Sequence, residues 1–192
     1  MKFKKLLIQI LLSCIIVCVF LILISILLKG CHDENHINID KTTFEPLNLN
    51  DKIDIKTMTN TTITLQKTED GFKYLNDDKV ILINFFTTKC APCNAMIAHL
   101  NNLQNRYKND LTIISVLLEA GLSHEEVELF LKTNHIDYIV TFDRKNLQLS
   151  SSYGNITDIP SMFVYDKNGK LLENYVGAVT EEMIEADLIR IF

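Results

Sequence analysis

The sequence predicts an α/β domain with a mixed central sheet flanked by helices, one of them inserted, preceded by one N-terminal transmembrane helix. Three observations predict it. Leu6–Leu28 is a long stretch without charge. "VILINFF" (Val80–Phe86) and "LTIISVLL" (Leu111–Leu118) are short, predominantly apolar runs, as strands buried on both faces are. Segments of helical period alternate with them, which is the order that builds an α/β sheet.

The anchor comes first. Leu6–Leu28 spans 23 residues, interrupted only by Gln9, Ser13 and Ser25. As a helix it is about 35 Å long, enough to cross a hydrocarbon core of about 30 Å. Lys2, Lys4 and Lys5 precede it, so the start stays cytoplasmic and the rest faces the periplasm or cell exterior. A cleavable signal peptide has a shorter apolar core and a small-residue cleavage site, which is missing here, so the anchor is read as uncleaved. Lipid attachment at Cys31 in "LLKGC" is the alternative, with Lys29 sitting badly in that pattern. Residues 1–31 therefore form the cytoplasmic tip and membrane anchor, 32–57 a polar spacer with Pro46 and a short strand near its end, and 58–192 the folded domain.

The anchor holds four lysines and no acid, so the remaining chain has a formal charge of −9. No basic patch is left to read nucleic acid, and that class is excluded.

Within the domain, "TTITLQ" (Thr61–Gln66) alternates and is β-branched, a strand followed by the turn "TEDG". After Val80–Phe86 a helix runs from about Ala91 to Tyr107, with Met96, Leu100, Leu103 and Tyr107 on one face. Leu111–Leu118 is the next strand. Ser123 and Glu126 stand at capping-box spacing and open a helix with Val127, Phe130 and Leu131 on one side. Tyr138–Phe142 is a short strand and Arg144–Tyr153 a weak helix. "SMFVYD" and "LLENYVG" flank "KNG" as a hairpin, whose antiparallel strands make the sheet mixed. The last helix begins at Thr180, with Glu181 and Glu182 in its first turn, and buries Ile184, Leu188 and Ile191.

Of five cysteines, Cys14 and Cys18 lie in the apolar run and Cys31 at its exit. Only Cys90 and Cys93 belong to the domain, and an exported domain with one pair has no structural disulfide framework; an oxidised pair here is a working one. Cys90 stands where a buried strand meets a helix. The unpaired N–H groups of the first turn and the macrodipole favour its thiolate, and Lys89 pushes the same way. Pro92 loses nothing by lacking an N–H in the first turn. Cys93, one turn further in, is the sheltered partner. One exposed thiol of low pKa and one sheltered thiol is what thiol–disulfide exchange needs.

"VILINFFTTKCAPC", followed some 65 residues later by "DIPSMFVYDKNGKL", resembles the thioredoxin-like superfamily. The inserted helix makes the chain similar to its membrane-anchored TlpA/ResA branch. The resemblance implies a thioredoxin-like fold and a thiol–disulfide oxidoreductase in which Cys90 attacks and Cys93 resolves. It implies that Pro160 follows a cis peptide bond, faces the cysteines, bars metals and, with Ile159, presents backbone groups to a partner chain. Lys89, Ala91 and Pro92 would tune the redox potential. No cofactor is implied, because the dithiol carries the electrons. Expected partners are disulfide-containing exported proteins, reduced by this chain, and a membrane electron-transfer protein that re-reduces it. An oxidase or isomerase of the same fold, or a non-catalytic binding module using the Pro160 groove, are the alternatives.

Departures from the family pattern are specific. Lys89 replaces a Trp before the first cysteine, Met96 a Glu three residues after the second, and Ala98 a helix-kinking Pro. Asn84 stands where the superfamily archetype has a buried Asp, as in the ResA-like branch. Deprotonation of Cys93 then falls to water, to Lys89 or to an acid from elsewhere in the chain.

A zinc site is disfavoured: Cys90 and Cys93 supply two ligands, but His99, His124 and His135 have no His-x3–5-His spacing and there is no second CxxC. Met96 near the thiols would suit copper, but its spacing with Leu100 makes it core. His99 is read as a helix-surface residue, His124 and His135 as solvated, and Tyr153 and Asn155 as packing and turn residues.

Overall fold

The computed structural model describes residues 44–192. The expected anchor at 6–28, the Cys31 alternative and the first part of the spacer lie outside the described residues. Among the described residues no helix is long and apolar enough to cross a membrane.

Strand β4 (Val80–Phe86) is the centre of a five-stranded sheet ordered β6-β5-β4-β7-β8, with β5 at Leu111–Leu117, β6 at Ile139–Thr141, β7 at Ser161–Tyr165 and β8 at Leu171–Val176. β4, β5 and β6 run parallel, while β7 and β8 are antiparallel additions, so the sheet is mixed as the sequence predicts. A parallel neighbour requires a crossover, and helix α1 (Ala91–Arg106) provides it between β4 and β5. Helix α2 (His124–Thr133) is the insertion between β5 and β6; α3 (Lys145–Ser151) and α4 (Glu181–Ile191) complete the helices.

The run of β4, apolar except for Asn84, has the physical reason anticipated for it. Ile81, Ile83 and Phe85 turn to one face, where they pack with Phe72, Leu149 and Tyr165. Leu82 turns to the other and packs with Met96 and Leu100 of α1 and with Ile184 and Leu188 of α4. Phe86, Leu117 and Val127 form a third cluster that contains Cys93. Each such side chain, fully buried, contributes roughly 1.5–3 kcal/mol of transfer free energy. Of the expected contacts of α4, Ile191 is only half-buried.

The folded unit begins earlier than Met58. β1 (Lys52–Lys56) lies within the stretch read as spacer, and it pairs antiparallel with β2 (Thr62–Lys67), which pairs with β3 (Phe72–Tyr74). Ile53, Ile55, Ile63 and Leu65 face the core while Lys52, Asp54 and Lys56 face solvent, so this small sheet is amphipathic and covers the cluster around Phe85. Its end is tied to β6: Met58 N–H donates to Val140 O and Phe142 N–H to Lys56 O, both at 2.9 Å. The three-residue β3 is too short to leave a period in the sequence. It is placed by Gly71, where a Cβ would fall 2.1 Å from the Tyr165 ring, and by Gly169 of the KNG turn (φ +85°), where a Cβ would fall 2.7 Å from Lys73 N.

Candidate active site

β4 ends at Phe86, and four residues later Cys90 caps α1. Its extended backbone (φ −90°, ψ 106°) lets the sulfur take the place a serine or aspartate oxygen fills at other N-caps: the Cys93 N–H donates to Cys90 Sγ at 3.1 Å. The same geometry that starts the helix thus aims its positive end at the sulfur, as expected from the sequence. Pro92 sits in the first turn, where no N–H is required, and no acid stands in that turn.

Cys90 and Cys93 are joined as a disulfide, with Cα atoms 5.1 Å apart. They are not equivalent. Cys93 is 4% exposed and packed in the cluster with Phe86 and Val127, whereas Cys90 is half-exposed and flanked by exposed Ala91 and Pro92. The Ile159–Pro160 bond is cis, as the resemblance implied, and Ile159 O lies 3.8 Å from Cys90 Sγ. Pro160 is buried; its carbonyl accepts from Gly177 N–H at 2.8 Å, and Ser161 Oγ donates to Asp158 O at 2.6 Å. The structure therefore brings Cys90, Cys93, Ile159 and Pro160 together.

On the other side of Cys90 stands a residue that sequence reasoning missed. Glu119 Oε2 accepts from the Thr88 N–H at 2.9 Å and from the Thr88 hydroxyl at 2.6 Å, and Glu119 Oε1 lies 3.4 Å from Lys89 Nζ. Burial by itself would raise the Glu119 carboxyl. The two Thr88 hydrogen bonds and the Lys89 ammonium outweigh it and hold the group below the usual carboxylate range. A signal for this contact was available: β4 and β5 pair in parallel with Phe86 opposite Leu117, and Thr88 and Glu119 continue that register two residues on. Glu119 also walls a cavity of about 520 Å³ at the ends of β5 and β6, with Leu122, Phe142, Arg144 and Leu147.

The remaining candidates fall where their chemistry puts them. Lys89 is 83% exposed on its way to Glu119. Asn84, on the face of β4 shared with Leu82 and Phe86, donates to Ser115 Oγ at 2.9 Å and leaves its own oxygen buried without a partner. Met96 is core, and Tyr153 stacks on Phe72 at 5.1 Å, both as expected. Asn155 occupies a turn at φ +67°. His99 Nδ1 lies 3.5 Å from Glu181, while His135 is exposed. His124 is not solvated as expected: its ring meets Phe142 edge-on, with Nε2 buried, because the capping turn folds onto β6. Among the described residues, no group of three or more His, Cys, Asp or Glu side chains is arranged to hold a metal.

Residues 54–188 match the Redoxin family. Among curated relatives, the thiol-disulfide oxidoreductase ResA of Bacillus cereus is 30% identical over 113 residues, covering 59% of this chain and 64% of the relative. The thioredoxin-like protein YneN of Bacillus subtilis (strain 168) is 27% identical over 111 residues, covering 57% and 64%. The matches thus span 64% of the length of these relatives. StoA from Bacillus subtilis superposes with a TM-score of 0.58 at 19% identity, over 73% of this chain and 98% of that one. A thiol:disulfide interchange protein of the thioredoxin family from Chlorobium tepidum TLS superposes with a TM-score of 0.56 at 21% identity, over 76% and 96%. These structural likenesses establish a thioredoxin-like fold.

Proposed function

The chain belongs to the Redoxin family, and from that premise we propose that it is a thiol–disulfide oxidoreductase, anchored in the membrane by residues 6–28, that reduces disulfides of exported proteins. The observation that carries the reading is the Cys93 N–H aimed at Cys90 Sγ at the head of α1, with Cys90 reachable and Cys93 sheltered. ResA, a relative over the same region, is a thiol-disulfide oxidoreductase by name, which supports the chemistry.

In the reduced protein the Cys90 thiolate attacks one sulfur of a client disulfide. The client's other sulfur leaves as a thiolate and takes a proton. Cys93 then loses its proton and attacks Cys90, releasing the client's second thiolate and closing the Cys90–Cys93 bond. The client gains two electrons and the dithiol loses them; a membrane electron-transfer protein restores the dithiol. During attack the client chain runs past Ile159, whose carbonyl faces the reacting sulfur, and Pro160 keeps the groove wall fixed.

Trapping tests this reading. Cys93→Ser in the full chain accumulates a mixed disulfide with client proteins, while Cys90→Ser does not and loses function. Retained function in Cys90→Ser would instead favour a binding module. The reduction potential separates reductant from oxidant: a value near about −270 mV fits the proposal, and one near about −120 mV reverses the electron flow.

A further inference from the structure

The Glu119 carboxylate reaches across from the end of β5 to the segment that leads into Cys90, and there it does two things at once. It accepts both hydrogen bonds that Thr88 can donate, and it meets the Lys89 ammonium. Asn94 Nδ2 adds a longer bond to Thr88 O at 3.4 Å. Glu119 is itself only 14% exposed, so its geometry is fixed by the sheet, while Lys89 at 83% has a flexible stem in solvent. A flexible cation beside a fixed anion is positioned by that anion. Lys89 is also the residue next to Cys90 in the chain, a cation adjacent to the attacking sulfur. The charged groups on the segments around the dithiol are Lys89, Glu119 and Asp158, the last adjacent to Ile159; Asp143 and Arg144 line the cavity that Glu119 walls.

We propose that Glu119 is a positioning residue for the dithiol: it fixes the Thr88–Lys89 approach to Cys90 and draws the Lys89 ammonium away from the attacking sulfur. The inference rests on Cys90 being the attacking thiol. Its consequence is a reducing bias. With Lys89 held by Glu119, the Cys90 thiolate gains less from its neighbour than sequence adjacency implies. The dithiol form is correspondingly less stabilised, and the pair gives up its electrons more readily.

The test is a cycle on the reduced full chain, reading Cys90 ionisation from the pH dependence of its alkylation rate, with the equilibrium against glutathione measured alongside. Glu119→Gln keeps an acceptor for Thr88 but frees Lys89. Its Cys90 acid-dissociation constant rises by about two- to fivefold, the range an exposed charge pair is worth. The potential rises by no more than about 20 mV, the equivalent of fivefold. Glu119→Asp, which restores the charge on a shorter stem, returns both toward the wild type. In a Lys89→Met background Glu119→Gln has no such effect, because the cation it would release is gone. Two results overturn the proposal: Cys90 ionising in Glu119→Gln as it does in the wild type, or the Glu119→Gln shift surviving undiminished in Lys89→Met. The second would mean that Glu119 acts on the sulfur directly. A wild-type dithiol that ionises normally but exchanges with no disulfide would sink the oxidoreductase reading while leaving the cycle interpretable.

Discussion

The two flanks of Cys90 are built from different materials. On the Pro160 side the sulfur meets main chain: the Ile159 carbonyl, next to the cis bond and to the Pro160 O–Gly177 N–H contact. On the Glu119 side it is approached by side chains, a carboxylate gripping Thr88 and an ammonium gripping the carboxylate. A backbone wall offers the same hydrogen-bonding groups at every pH and to every client. A charged wall depends on protonation and salt, and can be retuned by single substitutions. On the proposed function, the difference makes groove shape and redox poise separable: the main-chain flank would receive a client and the charged flank would adjust the sulfur.

The most severe break removes what both flanks serve. Cys90→Ser lowers disulfide exchange by roughly a hundredfold or more, because a hydroxyl is no thiolate; turnover of a small aromatic disulfide measures it. Next in size is the support common to both. Leu100, 1% exposed between α1 and β4, becomes Ala at a cost of about 3 kcal/mol in urea unfolding, from lost contacts and the cavity left behind. If the flanks are held by this packing, exchange by the folded variant also becomes less selective between peptide and small disulfides.

These two effects concern what the sequence made legible. Buried β4, the N-cap cysteine, its sheltered twin and Pro160 are each marked by local pattern: an apolar run, a two-residue gap, a proline before a strand. β3 and Glu119 carry no such mark. β3 exists because Gly71 and Gly169 permit close approach to Tyr165 and Lys73, and those contacts are made by residues about a hundred positions apart. Glu119 looks like any acid after a strand until the parallel register of β4 and β5 sets it beside Thr88. His124 reads as solvated for the same reason, since its burial against Phe142 comes from β6, later in the chain.

A smaller effect sharpens the contrast on the charged flank alone. Ser123 accepts from Glu126 N–H at 3.2 Å and Glu126 Oε2 accepts from Ser123 N–H at 2.7 Å, a complete capping box that starts α2 just after the loop carrying Glu119. Ser123→Ala costs about 1 kcal/mol of unfolding free energy, seen as a lower urea midpoint, with groove-side contacts unchanged.

The smallest expected effect is the pH signature of the carboxylate. The folded Glu119 pKa lies below its unfolded value, so its contribution is fully present above the unfolded pKa. It fades as pH falls through the folded value. For a pair with one exposed partner the contribution is under about 1 kcal/mol. The wild type therefore exceeds Glu119→Gln in melting temperature at neutral pH, and the gap closes at acid pH. A gap independent of pH would show that Glu119 acts through shape rather than charge.

The fully buried interior, among the described residues, holds no acid or base. The fully buried polar side chains among the described residues are hydroxyls and amides, Asn84 and Ser115 among them, and none is a carboxylate, lysine or histidine. A proton leaving Cys93 therefore finds no fully buried acid or base to take it, and solvent or a partly exposed group is left to receive it. Resolution of the mixed disulfide should quicken with buffer concentration, and its rate should answer to the composition of the surrounding medium.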